Sequence, residues 1–298
     1  MAIDFRHLSR DAAKQIQERQ PGWSMPVKSE TEAGESTLEW RRRAVERVIV
    51  SMSQRLDDPL NLDEMAEIAH LSRFHFNRVF GEITGVSPRK FLATLRIDRA
   101  KRLLLTTDLS ITEVCFEIGC NSLGTFTTHF TTLVGVSPSA WRRLPVDLNL
   151  SIDTVTSLIG SARARNASSD GTITGHAGMP EGFQGLVFVG LFQTQIPQSV
   201  PIAGDLLFGN NNYQIPSVPD GKYYVLAVAL PWPLDLLDFF IPDTMLRDRS
   251  GALVISGGSV TGNADLNLRE PHLTDPPILI ALPFLFAEYL KISGVGPL

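Results

Sequence analysis

The chain lacks most of the features that would place it outside an ordinary globular class. Only two of its 298 residues are cysteine, so there is no disulfide framework and no hint of secretion. Cys115 and Cys120 lack zinc-site spacing and read as buried thiols within a helical repeat. The six histidines are scattered, His70 and His75 do not share a helix face, and no acid completes a ligand set around them. Long apolar runs are missing too: Tyr223 to Leu230 is too short to span a bilayer, and Pro277 to Leu290 is broken by Pro283 and Glu288. The first ten residues have no signal-peptide core, so a cytoplasmic protein with no membrane association is expected. No glycine-rich phosphate loop follows a strand-like run, and no Ser or Cys nucleophile motif occurs. The expectation is a non-enzyme with no cofactor and no metal.

Positive charge is also scarce, the net being −5, which excludes a generally basic nucleic-acid binder. The distribution is uneven. Leu38 to Pro145 carries 15 Lys and Arg against 12 Asp and Glu, while the remainder beyond Pro145 is net negative. The length suits two modest domains.

What the chain does contain is a repeat. Ser72, Phe76, Phe80, Gly85, Val86, Ser87 and Pro88 recur as Ser122, Phe126, Phe130, Gly135, Val136, Ser137 and Pro138, at a constant offset of 50. The lead-in from Leu60 matches that from Leu109 at an offset of 49, so the second copy carries one more residue in its turn, near Asn121. Each copy reads as helix, tight turn, helix. Asn61 with Glu64, and Ser110 with Glu113, have capping-box spacing. Gly119 suits a turn needing positive φ, where the first copy has His70. Ser87-Pro88 and Ser137-Pro138 mark two further helix starts. Between the copies, Pro88 to Leu105 reads as a central helix packed through Ala93, Ile97, Ala100 and Leu104, leaving Arg96, Arg99, Lys101 and Arg102 for solvent or phosphate. Leu38 to Leu56 is a helix with Val45, Ile49, Met52 and Leu56 on one stripe.

In the second helix of the first copy, Phe76, Val79, Phe80 and Ile83 should face the core. Phe74, Asn77, Arg78 and Gly81 remain on the other side, and an aromatic, an amide and a guanidinium there have the chemistry of major-groove readout. Taken alone, Asn77 and Arg78 would more often merely solvate a surface; the duplicated unit tips the reading the other way.

Leu60 to Leu144 resembles the bipartite helix-turn-helix domain of the AraC/XylS transcriptional regulators, through Leu103 to Val114, Gly119 to Phe126 and Gly135 to Arg143. The resemblance covers about a third of the chain. It implies two subdomains on a shared central helix, reading successive major-groove segments of double-stranded DNA, with RNA polymerase as the transcription partner. By position, Phe74, Asn77 and Arg78 would read bases from the first copy, and Leu123, Gly124, Thr127 and Thr128 from the second. Ser72, Arg73, Arg89, Lys90, Ser122, Arg142 and Arg143 would contact phosphates. Thr128 stands where the family often has Arg, so the second helix should discriminate less.

Domain boundaries follow composition. Residues 1–37 read as a flexible arm, 38–145 as the helical domain, 146–170 as a linker and 171–298 as an all-β accessory domain. Strand-like runs occupy 171–176, 186–192, 222–230, 252–256 and 264–268, with Asp220-Gly221 and Gly257-Gly258 as turns. These runs suggest a small antiparallel sandwich, immunoglobulin-like or prealbumin-like, and resemble the transthyretin-like or carboxypeptidase-regulatory-like domains. Such a domain could sense a small-molecule effector in a pocket of Tyr223, Tyr224, Trp232, Phe239 and Phe240, or form a homodimer or partner surface. It could equally be a structural module with no effector, those aromatics being its core.

Overall fold

The computed structural model describes residues 36–147, 172–232, 239–242, 245–283 and 285. The proposed arm, all but the start of the linker and most of the C-terminal tail lie outside the described residues.

Among the described residues, seven helices form the first half: α1 (Thr37–Gln54), α2 (Leu62–Ile68), α3 (Arg73–Thr84), α4 (Pro88–Thr106), α5 (Ile111–Glu117), α6 (Leu123–Val134) and α7 (Pro138–Asp147). The repeat is realised in the backbone. Both capping boxes form, at Asn61 with Glu64 and at Ser110 with Glu113. The amide of Leu71 donates to Ala66 O and that of Cys120 to Cys115 O, each at 3.0 Å. The turn residues His70 and Gly119 both have positive φ, 55° and 72°, so the first copy holds a non-glycine left-handed residue where the second relaxes to glycine. The second helix of each copy, α3 or α6, stops at a left-handed glycine, Gly85 or Gly135.

Each helical subdomain has its own core. Phe76, Phe80 and Phe91 stack edge-to-face in the first, with Val45, Ile49 and Met52 of α1 beneath them. Phe126, Phe130 and Trp141 fill the second. The shared helix α4 corrects one expectation. Of the four basic residues assigned to solvent or phosphate, Lys101 is wholly buried and Arg102 nearly so. Lys101 Nζ donates to Ile278 O at 2.9 Å and lies 4.9 Å from the centre of the Trp141 ring. Arg102 pairs with Asp98 at 3.0 Å, and Arg96 donates to the carbonyls of Leu56 and Asp58. Helical spacing put these side chains on the outer face; a segment of the second half reaches Lys101 there, while Arg96 is taken up by the chain after α1 and Arg102 by its own helix.

That half is β-structure: β1 (Ile173–Gly178), β2 (Gly185–Phe192), β3 (Ala203–Phe208), β4 (Asn212–Ile215), β5 (Gly221–Pro231), β6 (Leu246–Arg249), β7 (Leu253–Ser256), β8 (Ser259–Thr261) and β9 (Leu266–Asn267). One sheet has the order β4-β1-β9; the larger runs β3-β2-β5-β7-β8, with β6 also on β5. The pairing is antiparallel except between β1 and β9, a departure from the all-antiparallel expectation. Gly257 and Gly258, both at positive φ, make the two-residue turn between β7 and β8. Val187, Val189, Val225 and Ala227 face the smaller sheet, while Leu186, Phe188, Leu226 and Val228 face the opposite way into a second apolar layer. Covering on both faces is why β2 and β5 read as continuous apolar runs.

The two halves share cores. Ile196, from the β2–β3 loop, is fully buried among the residues of α1, α3 and α4. Phe240, Ile241, Leu279 and Ala281 join the second helical core, Phe240 meeting Trp141 edge-on at 5.7 Å. On the outer face of α1, Arg42 donates to His272, whose pKa is lowered by burial and by the Arg42 charge.

Candidate nucleic-acid interface

Burial of Phe76, Val79 and Phe80 fixes the rotation of α3, and the rotation decides what the helix shows to solvent. Phe74 is 88% exposed, a large apolar ring held in water, with Asn77 and Arg78 exposed beside it. Arg78 bonds Glu82 one turn on at 2.8 Å, with both side chains about half exposed. An exposed pair of this spacing is worth only about 0.3–0.5 kcal/mol, so it holds the guanidinium near its helix without opposing transfer to a base.

On α6, Phe126, Phe130 and Leu133 are buried, turning Leu123, Gly124 and Thr128 outward and leaving Thr127 half-buried. A Cβ built on Gly124 would meet nothing within 4 Å, so this spot is open space against the helix backbone. Between Leu123 and Val134 the helix carries no acid, Lys or Arg. His129 is exposed, with its pKa lowered by partial desolvation. The hydroxyls of Thr131 and Thr132 turn back to the carbonyls of Thr127 and Thr128.

Around these faces, Ser72, Arg73, Arg89, Lys90, Ser122 and Arg143 are exposed. The Ser72 hydroxyl makes no capping bond in α3, whereas Ser122 accepts from the Thr125 amide. Arg73 stands 3.6 Å from Asp63, both well exposed. Arg142 differs from the rest: it is half-buried and donates to the carbonyls of Leu104 and Leu109, tying α7 to the end of α4. That bonding makes it a structural tie, and it corrects the placement of Arg142 among the outward phosphate contacts.

The proposed aromatic pocket does not assemble. Tyr223 lies between the two sheets and Phe240 packs on Trp141, while Tyr224, Trp232 and Phe239 belong to the layer on the far face of the larger sheet. Period-two alternation along β5 sends Tyr223 and Tyr224 to opposite faces, so no pocket on one face could take both. The residues that join the halves went unnoticed in the sequence, since Ile196 and Ser199 stand in a loop with no periodicity to mark them.

The β-region docks at the C-terminal ends of both α3 and α6. Arg249 donates to Thr84 O at 3.0 Å at the end of α3. At the end of α6 the Ser199 amide donates to Leu133 O at 2.6 Å and the Ala281 amide to Val134 O at 3.1 Å. These bonds satisfy carbonyls that a helix end leaves without intrahelical partners. Along α3, Arg78 lies six residues from Thr84, about 9 Å at 1.5 Å per residue, and Phe74 ten residues, about 15 Å; both side chains remain exposed with the β-region in place.

A family model described as a helix-turn-helix domain matches residues 65–144. The HTH-type transcriptional regulator YfiF of Bacillus subtilis is 37% identical over 100 residues, which are 34% of this chain and 32% of that protein. The transcriptional activator AarP of Providencia stuartii is 28% identical over 98 residues, 33% of this chain and 73% of the relative. A crystal structure of the DNA-binding domain of AdpA, a global transcriptional factor, in complex with a target DNA is 33% identical, covering 33% of this chain and 89% of that one with a TM-score of 0.32. The chain spans about a third of the length of the first of these curated relatives. Residues 65–144 are a helix-turn-helix domain of the AraC type.

Proposed function

With residues 65–144 an AraC-type helix-turn-helix domain, we propose that the chain is a sequence-specific DNA-binding transcription regulator that reads two adjacent major-groove segments. The observation that carries this is the solvent face of α3, where Phe74, Asn77 and Arg78 project together from a buried aromatic base. Arg78 can grip guanine O6 and N7 in two hydrogen bonds, Asn77 can do the same for adenine, and Phe74 can lie on a thymine methyl. From α6, Leu123, Gly124, Thr127 and Thr128 supply methyl packing and close approach, with looser selectivity. Ser72, Arg73, Arg89, Lys90, Ser122 and Arg143 would hold phosphates, fixing register without reading sequence. RNA polymerase is the partner on which such a regulator acts, and no step of this reading needs catalysis or a cofactor.

Selection of bound duplexes from a random library tests the reading. The expected product is a bipartite site with its two elements about one helical turn, roughly 10 bp, apart. Repeating the selection with Arg78→Ala should erase one guanine from the first element. Recovery of an unchanged site by that variant would refute the assignment of α3 as the principal reader.

A further inference from the structure

On the face of the larger sheet that turns toward the helices lies a cavity of about 390 Å³, within the size range of small-molecule sites. Phe188, Phe192, Leu206 and Val228 form its apolar floor, and Ile278 and Ile280 cross above them. The remaining wall includes Gln195, Pro197 and Val200 of the docking loop and Arg249 of β6.

The acids and bases lining this space are engaged differently. Asp205 accepts from the amides of Leu206 and Gln214 at 2.8 and 3.0 Å, and Asp248 from the Asn267 amide at 2.7 Å. Asp275 accepts two bonds from Arg269, at 2.8 and 2.9 Å, and one from the His272 amide at 2.7 Å. The carboxylates are thus occupied by donors of the fold itself. Arg249, half-buried, spends Nη1 on Thr84 O, a neutral acceptor. Burial pushes its pKa down from the ordinary arginine range, against the pull of the Asp275 and Asp248 charges. An anion arriving beside Arg249 would therefore meet a guanidinium whose lost hydration it could replace.

We infer that this cavity is an effector site for a small apolar monocarboxylate, its hydrocarbon body on the sheet and its carboxylate toward Arg249, and that occupancy is coupled to both reading helices. The coupling follows from shared residues. Arg249 lines the cavity and caps α3; Pro197 O accepts the Leu279 amide at 3.0 Å, and Ser199 and Ala281, two residues further along each segment, cap α6. A ligand that repositions these segments bears on the ends of both helices at once, and differential contact with two arrangements is what effector control requires. The coupling rests on the DNA-reading proposal above; the ligand class does not.

The test uses the full chain and calorimetry with hexanoate, octanoate, benzoate and phenylacetate, each against its own primary amide. At least one acid should bind, about tenfold or more tighter than its amide, and should change affinity for the selected duplex by about fivefold or more. Val228→Phe, which fills the floor, should abolish binding. Arg249→Gln, which removes the charge and ends short of Thr84 O, should bind acid and amide alike. Should Val228→Phe prove unfolded by its thermal midpoint, the Arg249→Gln comparison decides. Binding by none of the acids, an acid preference that survives in Arg249→Gln, or an acid that binds while leaving duplex affinity unmoved would each overturn the inference. A chain that binds acid but no duplex would sink the regulator reading and the coupling, leaving the ligand class standing.

Discussion

Ile196→Ala should destabilise the helical half of the molecule although residue 196 belongs to the β-half. Ile196 is fully buried and belongs to the same core as Val45, Phe76, Phe80 and Phe91 of the first helical subdomain. Truncation removes three carbons, and at about 0.8 kcal/mol per buried CH₂ the transfer loss is about 2.4 kcal/mol. The hole left among rigid aromatic rings adds to this, placing the expected cost at about 3 kcal/mol, inside the roughly 2–5 kcal/mol seen for such truncations. The assay is denaturant unfolding followed by far-UV circular dichroism, which reports the helices, alongside tryptophan fluorescence, to which Trp141 of the second helical core contributes with Trp23, Trp40 and Trp232. Both transitions should move together to lower denaturant. Val200→Ala, in the same loop but 53% exposed, should shift them by no more than about 0.5 kcal/mol. If Ile196→Ala left the helical transition in place, the two halves would be independent folding units and the shared cores would carry no cooperative free energy.

Further outcomes follow from the same geometry. Arg78→Ala should lose about 1–3 kcal/mol of discrimination at a single base pair, measured by anisotropy on matched and substituted duplexes. Arg89→Ala and Lys90→Ala should weaken all duplexes alike, each reducing the slope of log affinity against log salt by about 0.9. Gly119→Ala should cost more than about 1 kcal/mol by thermal unfolding, because φ there is +72° and the added Cβ would stand 2.7 Å from Asp57 O. Burial tends to raise the Asp275 pKa, but the two Arg269 bonds and the His272 amide prevail and hold it below the ordinary carboxylate range. Its stabilisation is therefore present above about pH 4 and lost as pH falls through the lowered folded value. Asp275→Asn should cost about 1 kcal/mol at pH 7, the exposed half of Arg269 screening the pair, and should flatten the acid limb of stability against pH.

The parts of the fold legible in the sequence were those governed by local rules. Helix starts at Asn61 and Ser110 and the burial of Phe76 follow from spacing and side-chain chemistry within a turn or two. The outward placement of Phe74, Asn77 and Arg78 follows by subtraction. The short strands at Ala203–Phe208, Asn212–Ile215, Leu246–Arg249 and Ser259–Thr261 leave little trace in the sequence: Gly and Asp interrupt the first, Arg and Asp dominate the third, and the other two are only four and three residues long, too short to show an alternation. Lys101 shows the limit most clearly. Amphipathic reasoning assigns a lysine on the polar stripe to water, yet its ammonium meets the Ile278 carbonyl and the Trp141 ring because a distant segment arrives there. Nothing within 20 residues of Lys101 encodes that arrival. The apolar cavity was equally hidden, its walls coming from four strands and the loops around them, whose meeting is purely tertiary.

The seat of Ile196 has a bearing on protein engineering. Excising residues 36–147 for fusion to another sensor would leave an unfilled socket between α1 and α4 and uncapped carbonyls behind both readers. The helical half is thus not a portable cassette; a working chimera would have to carry along, or rebuild, the short pegs at 196–199 and 278–281 that plug it.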